Sequence, residues 1–277
     1  MPATEADRSD LALLEEVAEE AGKLALSFYG KSSLDVWDKS HGDPVTEADL
    51  AVNELIRRRL LSARPDYGWL SEENALSDHR RDQDRVWVLD PIDGTRAFMR
   101  TEPFWCIGIG VIDRGEARVG LVHAPVLGET YAAAWGEDAF RNGSALRVSE
   151  TASIEGCRMV ATEALFSHPA WSKPWPDMEF ARPKPNATLL RMCWVASGQW
   201  DATLALVRKS DWDLAPASLI VKQAGGEAST HLGEPFRFNQ TIPAQRSVLA
   251  AGKPLHSLLK ARCSQVRLAD PNAREEM

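Results

Sequence analysis

Apolar residues recur every three or four positions through Leu11, Leu14, Val17, Ala18, Ala21, Leu24, Ala25 and Phe28, the spacing of an amphipathic helix that Gly30 ends. A polar, turn-rich link over Lys39 to Pro44 follows. A second helix is predicted from Thr46 to Leu61, with Val52, Leu55, Ile56 and Leu60 on its buried face, and Pro65-Asp66 breaks it. Trp69-Leu70 is a short strand candidate, and Ser77 to Asp84 is charged and reads as solvent-facing.

The texture then changes from helical to extended. Val86 to Leu89 reads as a buried strand that ends at Asp90, and Phe104–Asp113, Ala117–His123 and Thr130–Trp135 read as three more. Arg114-Gly115-Glu116 is short enough to turn between two of them. With no helix in between, these strands predict an antiparallel meander. Gly136 to Gly143 reads as a loop and Leu146 to Val148 as a short edge strand.

Cys157 to Thr162 opens a second lobe, which divides one compact catalytic unit into residues 1–150 and 151–277. The proline-rich stretch His168 to Pro185 reads as a loop or lid. Leu189, Met192, Cys193 and Ala196 predict a helix ending near Gly198, and Thr203 to Val207 a strand. Asp213 to Ala224 predicts a helix with Asp213 as its N-cap, stopped by Gly225-Gly226. Ser247–Ala251 is a small strand, Leu255–Ala261 a last helix, and the tail after Asp270 polar and frayed. The whole reads as layered α/β with mixed and antiparallel sheet rather than regular βαβ units.

At 277 residues, 44% hydrophobic and 26% charged, the chain can bury a sizeable core. Its 40 acidic against 32 basic residues, a formal net charge of -8, argue against a nucleic-acid polymer as partner. A small phosphorylated metabolite is still admissible, because a bound metal reverses the local sign. The polar start of the chain lacks the apolar core of a signal peptide, and no run is long enough to span a membrane. Cys106, Cys157, Cys193 and Cys263 stand far apart in apolar stretches and read as buried thiols in a reducing cytoplasm.

Acidic residues collect at four places. In Asp90-Pro91-Ile92-Asp93-Gly94-Thr95 an apolar strand delivers Asp90, Pro91 fixes a torsion, and Gly94 permits a tight bend that brings Asp93 onto the same turn. Two such carboxylates repel each other unless a divalent cation joins them, and magnesium favours oxygen ligands. A capping turn is the competing reading. Glu72-Glu73 follows the Trp69-Leu70 strand, as a ligand pair or as solvated acids. Thr46 and Asp49 have the spacing of a helix cap, with Asp49 alternatively reaching into a shared site. Asp211-Trp212-Asp213 precedes the last long apolar helix, as a cap or as a ligand.

In order and spacing, Thr46-x-x-Asp49, Glu72-Glu73, Asp90-Pro91-Ile92-Asp93-Gly94-Thr95 and Trp212-Asp213 resemble the inositol monophosphatase superfamily, lithium-sensitive magnesium-dependent phosphatases, over nearly the whole chain. The resemblance implies an αβαβα sandwich, often dimeric, with two or three magnesium ions. It implies Glu72, Asp90, Asp93, Asp213 and the main-chain oxygen of Ile92 as metal ligands. Asp49, Glu72 and Thr95 would orient the attacking water, and Asp93, Gly94 and Thr95 would meet the substrate phosphate. Ser71 stands where many members have glycine, and in Leu214-Ala215-Pro216 the proline stands where inositol phosphatases more often have alanine or glycine. A purely binding role is disfavoured because every ligand position is kept.

Where inositol phosphatases carry a ring-binding glutamate, this chain has Ala205 or Leu206. Arg191, Arg208 and Lys209 would instead suit a second phosphate, Arg191 matching a position that is often lysine in the nucleotidase branch. Trp-Asp-x-Ala-Pro and the approach Gly42-Asp43-Pro44-Val45-Thr46 also resemble the bacterial 3'(2'),5'-bisphosphate nucleotidases, which remove the 3'-phosphate of adenosine 3',5'-bisphosphate. One of Trp171, Trp175, Trp194, Trp200 and Trp212 could then stack on adenine. Inositol-1-phosphate, other polyol phosphates and histidinol phosphate are the alternative substrates.

Overall fold

The computed structural model describes residues 2–31, 34–39, 43–74 and 78–272. Helix α1 (Glu5–Phe28) starts at a capping box between Thr4 and Asp7. Strands β1 (Val36–Lys39) and β2 (Asp43–Thr46) pair antiparallel in the stretch read as a link, and Gly42 lies outside the described residues. Helix α2 (Glu47–Ala63) follows directly.

Strands β3 (Gly68–Ser71) and β4 (Arg85–Asp93) are parallel neighbours, and the short helix α3 (Thr95–Met99) starts where β4 ends. Strands β5 (Cys106–Asp113), β6 (Glu116–Ala124), β7 (Glu129–Ala134), β8 (Phe140–Arg141) and β9 (Ser144–Ala145) continue antiparallel in chain order, completing a seven-stranded sheet. Within β4, Val86 and Val88 enter one core while Trp87 and Leu89 enter another. Side chains alternate across a strand, so an unbroken apolar run requires cover on both faces.

The remaining elements are β10 (Arg158–Met159), β11 (Glu179–Phe180), α4 (Thr188–Ala196), β12 (Ala202–Ala205), β13 (Lys209–Ser210), α5 (Ala215–Gln223), β14 (Gly226–Ser229), β15 (Ala244–Gln245), β16 (Val248–Gly252) and α6 (Lys253–Cys263). Five of the strands form a second sheet, in the order β11-β10-β12-β16-β14. Helices α1 and α2 cover the outer face of the first sheet, α4 and α5 lie between the two sheets, and α6 covers the outer face of the second. This is the predicted αβαβα order.

Helix α5 sits very close to the first sheet. A methyl group at Gly120 in β6 would stand 2.3 Å from the carbonyl oxygen of Pro216, and one at Gly110 in β5 would stand 3.5 Å from the Pro216 ring. Glycine is required here because backbone meets backbone. Gly120→Ala is therefore expected to push α5 off the sheet and cost about 3 kcal/mol, the upper range for overpacking a core. A calorimetric melting temperature unchanged from wild type would show that the layer can yield.

Several local expectations are corrected. Gly136 to Gly143 is not a plain loop: Asn142 and Gly143, at φ 48° and 78°, turn the hairpin between β8 and β9. Leu146 to Val148 is not a strand, since Leu146 N donates to Ala139 O and Val148 N to Ala224 O in separate single bonds. Of the segment read as solvent-facing, Ser77 lies outside the described residues, and Arg80 is buried with its guanidinium on Gln240 O at 2.9 Å. The tail is held at Asn272, which donates to Ile242 O at 2.8 Å, and residues 273–277 lie outside the described residues. All four cysteines are buried and free, as expected.

Candidate functional site

The acids converge because four different elements end at one place. The β4–β5 register slips between Asp90 and Asp93, and Gly94, at φ +101°, turns the chain into α3. Parallel pairing of β3 with β4 sets Ser71 beside Leu89, so Glu72 emerges next to Asp90. Asp93 Oδ2 accepts from Leu189 N at 2.7 Å, which ties this turn to the start of α4.

Asp49 caps α2 and also touches Thr95. Its Oδ2 accepts from Thr46 N at 2.8 Å and Thr46 Oγ1 at 2.5 Å, capping α2. Its Oδ1 accepts from Thr95 Oγ1 at 3.3 Å, and the same hydroxyl is 3.1 Å from Ile92 O.

Asp213 is not the N-cap of α5. That position belongs to Leu214, and Asp213 Oδ2 turns back to accept from Ser210 N at 3.2 Å, with Lys209 Nζ at 3.9 Å. The turn is held by Asp211, to which sequence reasoning gave no role of its own. Its main-chain oxygen accepts from Ala215 N at 2.8 Å, and its buried carboxylate accepts from Asn239 N at 2.7 Å and Gln245 Nε2 at 3.0 Å. Two aspartates separated by one residue before an apolar helix were the available signal.

Together these residues line a cavity of about 270 Å³. Glu72, Asp90, Ile92, Asp93, Gly94, Thr95 and Asp213 face it, joined by Pro44, Arg96, Asn186 and Lys209. Asp49 stands behind Thr95. Arg191 is buried behind Asn186, donating to its main-chain oxygen at 2.6 Å. Arg208 is a correction, because it is exposed and does not line the cavity. The suggested adenine-stacking tryptophans are another. Trp171 and Trp175 pack edge to face around a separate cavity of about 510 Å³ in the His168–Pro185 stretch, while Trp194, Trp200 and Trp212 pack against the core. The body of that stretch therefore does not cover the acids.

Burial and mutual repulsion dominate the electrostatics. Asp90 is pushed well above the usual carboxylate range by burial and then by Glu72, Asp93 and Asp213. Asp93 is pushed up to about 7 by burial and Asp213, against the pull of Lys209, the Leu189 amide and Arg191. Asp49 also reaches about 7, mainly through burial.

A divalent cation fits this donor set. Asp90 Oδ1 is buried and has no hydrogen-bond partner, and the surrounding donors are hard oxygens. Among the described residues, no three acidic, histidine or cysteine side chains are already closed into a metal cluster.

The model of the inositol monophosphatase family matches residues 7–267. The chain belongs to the inositol monophosphatase family. It is 37% identical over 225 residues to a histidinol-phosphatase of Chlorobaculum parvum, a match that covers 78% of this chain and 84% of the relative. It is 31% identical to a fructose-1,6-bisphosphatase/inositol-1-monophosphatase of Thermotoga maritima, over 82% of this chain and 86% of the relative. A solved Thermotoga maritima IMPase superposes with a TM-score of 0.75 at 28% identity, covering 92% and 96% of the two chains. Members of the family are generally metal-dependent phosphatases, and this chain is a phosphatase of that family. No helix among the described residues is long and apolar enough to cross a membrane.

Proposed function

We propose that the protein is a magnesium-dependent phosphomonoesterase whose substrate carries a second anionic group, most specifically a 3'(2'),5'-bisphosphate nucleotidase that removes the 3'-phosphate of adenosine 3',5'-bisphosphate. Residues 1–150 contribute Glu72, Asp90, Ile92 and Asp93, and residues 151–277 contribute Asp213, as the oxygens that would hold magnesium. When bound, the metal supplies charge that neutralises the phosphate dianion and acidifies water.

The chain's own groups then orient the reaction. Thr95 has one hydroxyl hydrogen and two acceptors, Asp49 Oδ1 and Ile92 O. With that hydrogen donated to Asp49 in a hydrogen bond, Thr95 Oγ1 can accept a hydrogen bond from the attacking water and orient it, while the Glu72 carboxylate is the acceptor that can take its proton. The leading amides of α3, at Gly94 and Thr95, lack intrahelical partners and suit a phosphate oxygen. Among the described residues no cysteine or histidine lines the cavity, and the route needs no phosphorylated enzyme.

One observation carries the substrate reading: one cationic side chain lines the cavity and another is buried directly behind Asn186. Lys209 lines the cavity, and Arg191 is only 7% exposed, with a buried Nε that has no partner. Ala205 and Leu206 provide no carboxylate for a polyol ring. Histidinol phosphate is the second reading, favoured by the name of the 37% identical relative.

Phosphate release with magnesium separates them. The kcat/KM for adenosine 3',5'-bisphosphate is expected to exceed that for inositol 1-phosphate and for histidinol phosphate by at least about tenfold, the worth of one charge-assisted contact. A preference for histidinol phosphate would replace the nucleotidase reading and leave the metal site in place.

A further inference from the structure

The segment just before α4 brings one more cation to Asn186, a residue of the cavity wall. Lys184 is half-buried, and its Nζ donates to Asn186 Oδ1 at 3.3 Å. Asn186 lines the acidic cavity and is held through its main-chain oxygen by Arg191 at 2.6 Å. Lys184 also bounds a neighbouring hollow of about 380 Å³ beside Thr162, Phe180 and Arg182. It therefore stands between the place where the acids lie and a space large enough for part of a leaving group.

Three like charges are gathered here. Burial, then Arg191, then Lys209 push the Lys184 ammonium down to about 8. Burial also lowers Arg191, which is held up by Asp93 and Asp213. The acids offset Arg191 and Lys209, whereas Lys184 has the Asn186 side-chain amide oxygen, a neutral acceptor, at its ammonium. Clustered cations, one of them with a buried unpaired Nε, are costly unless an anion joins them.

We propose that Lys184 is a specificity-determining residue, which receives the second anionic group of the substrate on the leaving-group side of Asn186, together with Arg191 and Lys209. This rests on the proposed bisphosphate reading and goes beyond it by assigning the anion to a lysine remote from the metal motifs. A flexible ammonium reaches a phosphate as a point charge, so arginine at this position should substitute in part and methionine should not.

The test compares the magnesium-loaded enzyme on two matched pairs: adenosine 3',5'-bisphosphate with adenosine 3'-phosphate, and fructose 1,6-bisphosphate with fructose 1-phosphate. In Lys184→Met the ratio of kcat/KM within the preferred pair should fall about tenfold, through KM on the bisphosphate, with Lys184→Arg restoring much of it. If only the fructose pair shows a wild-type preference, and that preference depends on Lys184, the nucleotidase reading fails and the assignment of Lys184 stands. If wild type prefers neither bisphosphate, or Lys184→Met lowers both members of the preferred pair equally, the assignment is overturned. Melting temperatures of the variants control for misfolding.

Discussion

Asp90→Asn is expected to lower kcat by about a thousandfold and, in the same protein without metal, to raise the melting temperature. The first effect follows from the proposed ligand role, since removing one preorganised electrostatic group at a phosphoryl centre costs on the order of 10²–10³. The second follows from what the fold tolerates to build the site. Asp90 is 1% exposed, its Oδ1 has no hydrogen-bond partner, and Glu72, Asp93 and Asp213 all raise its carboxyl pKa. Asparagine keeps the shape, removes one of the crowded charges and gives the neighbouring carboxylates an amide to bond. Calorimetry in a chelator checks stability, at roughly 3 °C per kcal/mol for a chain of this size. Saturating magnesium should stabilise wild type by about 2.7 kcal/mol at a hundredfold excess over Kd, and most of that gain should vanish in the variant. Turnover within tenfold of wild type would remove Asp90 from the metal site. An unchanged metal-free melting temperature would mean that the repulsion is already relieved by protonation.

Thr95→Ala is expected to reduce kcat by about a hundredfold while leaving the magnesium-induced rise in melting temperature nearly intact. The hydroxyl touches Asp49 Oδ1 and Ile92 O and belongs to no carboxylate, so its loss disturbs the water more than the cation. Asp49 would lose one donor but keep both bonds from Thr46, so α2 should remain capped. Thr95→Ser, which keeps the hydroxyl, should recover most of the rate. Collapse of the magnesium-induced stabilisation in Thr95→Ala would reassign this residue to holding the metal.

The parts of this protein that could be read directly from the chain are those governed by neighbours in sequence. The three-and-four spacing of Leu14, Val17, Ala18 and Ala21 became the buried stripe of α1. The unbroken apolar run at Val86–Leu89 became a strand covered on both faces, and its final Asp-Pro-Ile-Asp-Gly-Thr became the bend at the cavity floor. Thr46 and Asp49 became a capping box, because such a box closes within four residues. Asn142-Gly143 was also legible as a hairpin turn, and was missed by reading the segment as a loop.

Local spacing could not tell Arg208 from Lys209. The two are adjacent, but β13 begins at Lys209, so Arg208 stays exposed just before it while Lys209 lines the cavity. Nor could it separate capping from a place in the cavity at Asp213, where a shift of a single residue hands the N-cap to Leu214 and leaves the aspartate lining the cavity.

By itself, then, the sequence determined most of the helices and strands and the acidic motifs, since each rests on short-range periodicity or on a contiguous motif, and the αβαβα layer order followed only from the resemblance those motifs carry. Tertiary structure alone decided that Asp211 holds the turn before α5, that the tryptophans pack elsewhere, and that Lys184 and Arg191 meet at Asn186. Those relations depend on how closely α5 presses on Gly120 and on where the chain before α4 crosses the cavity. Packing between layers sets such distances, and packing is a property of surfaces brought together from remote parts of the chain.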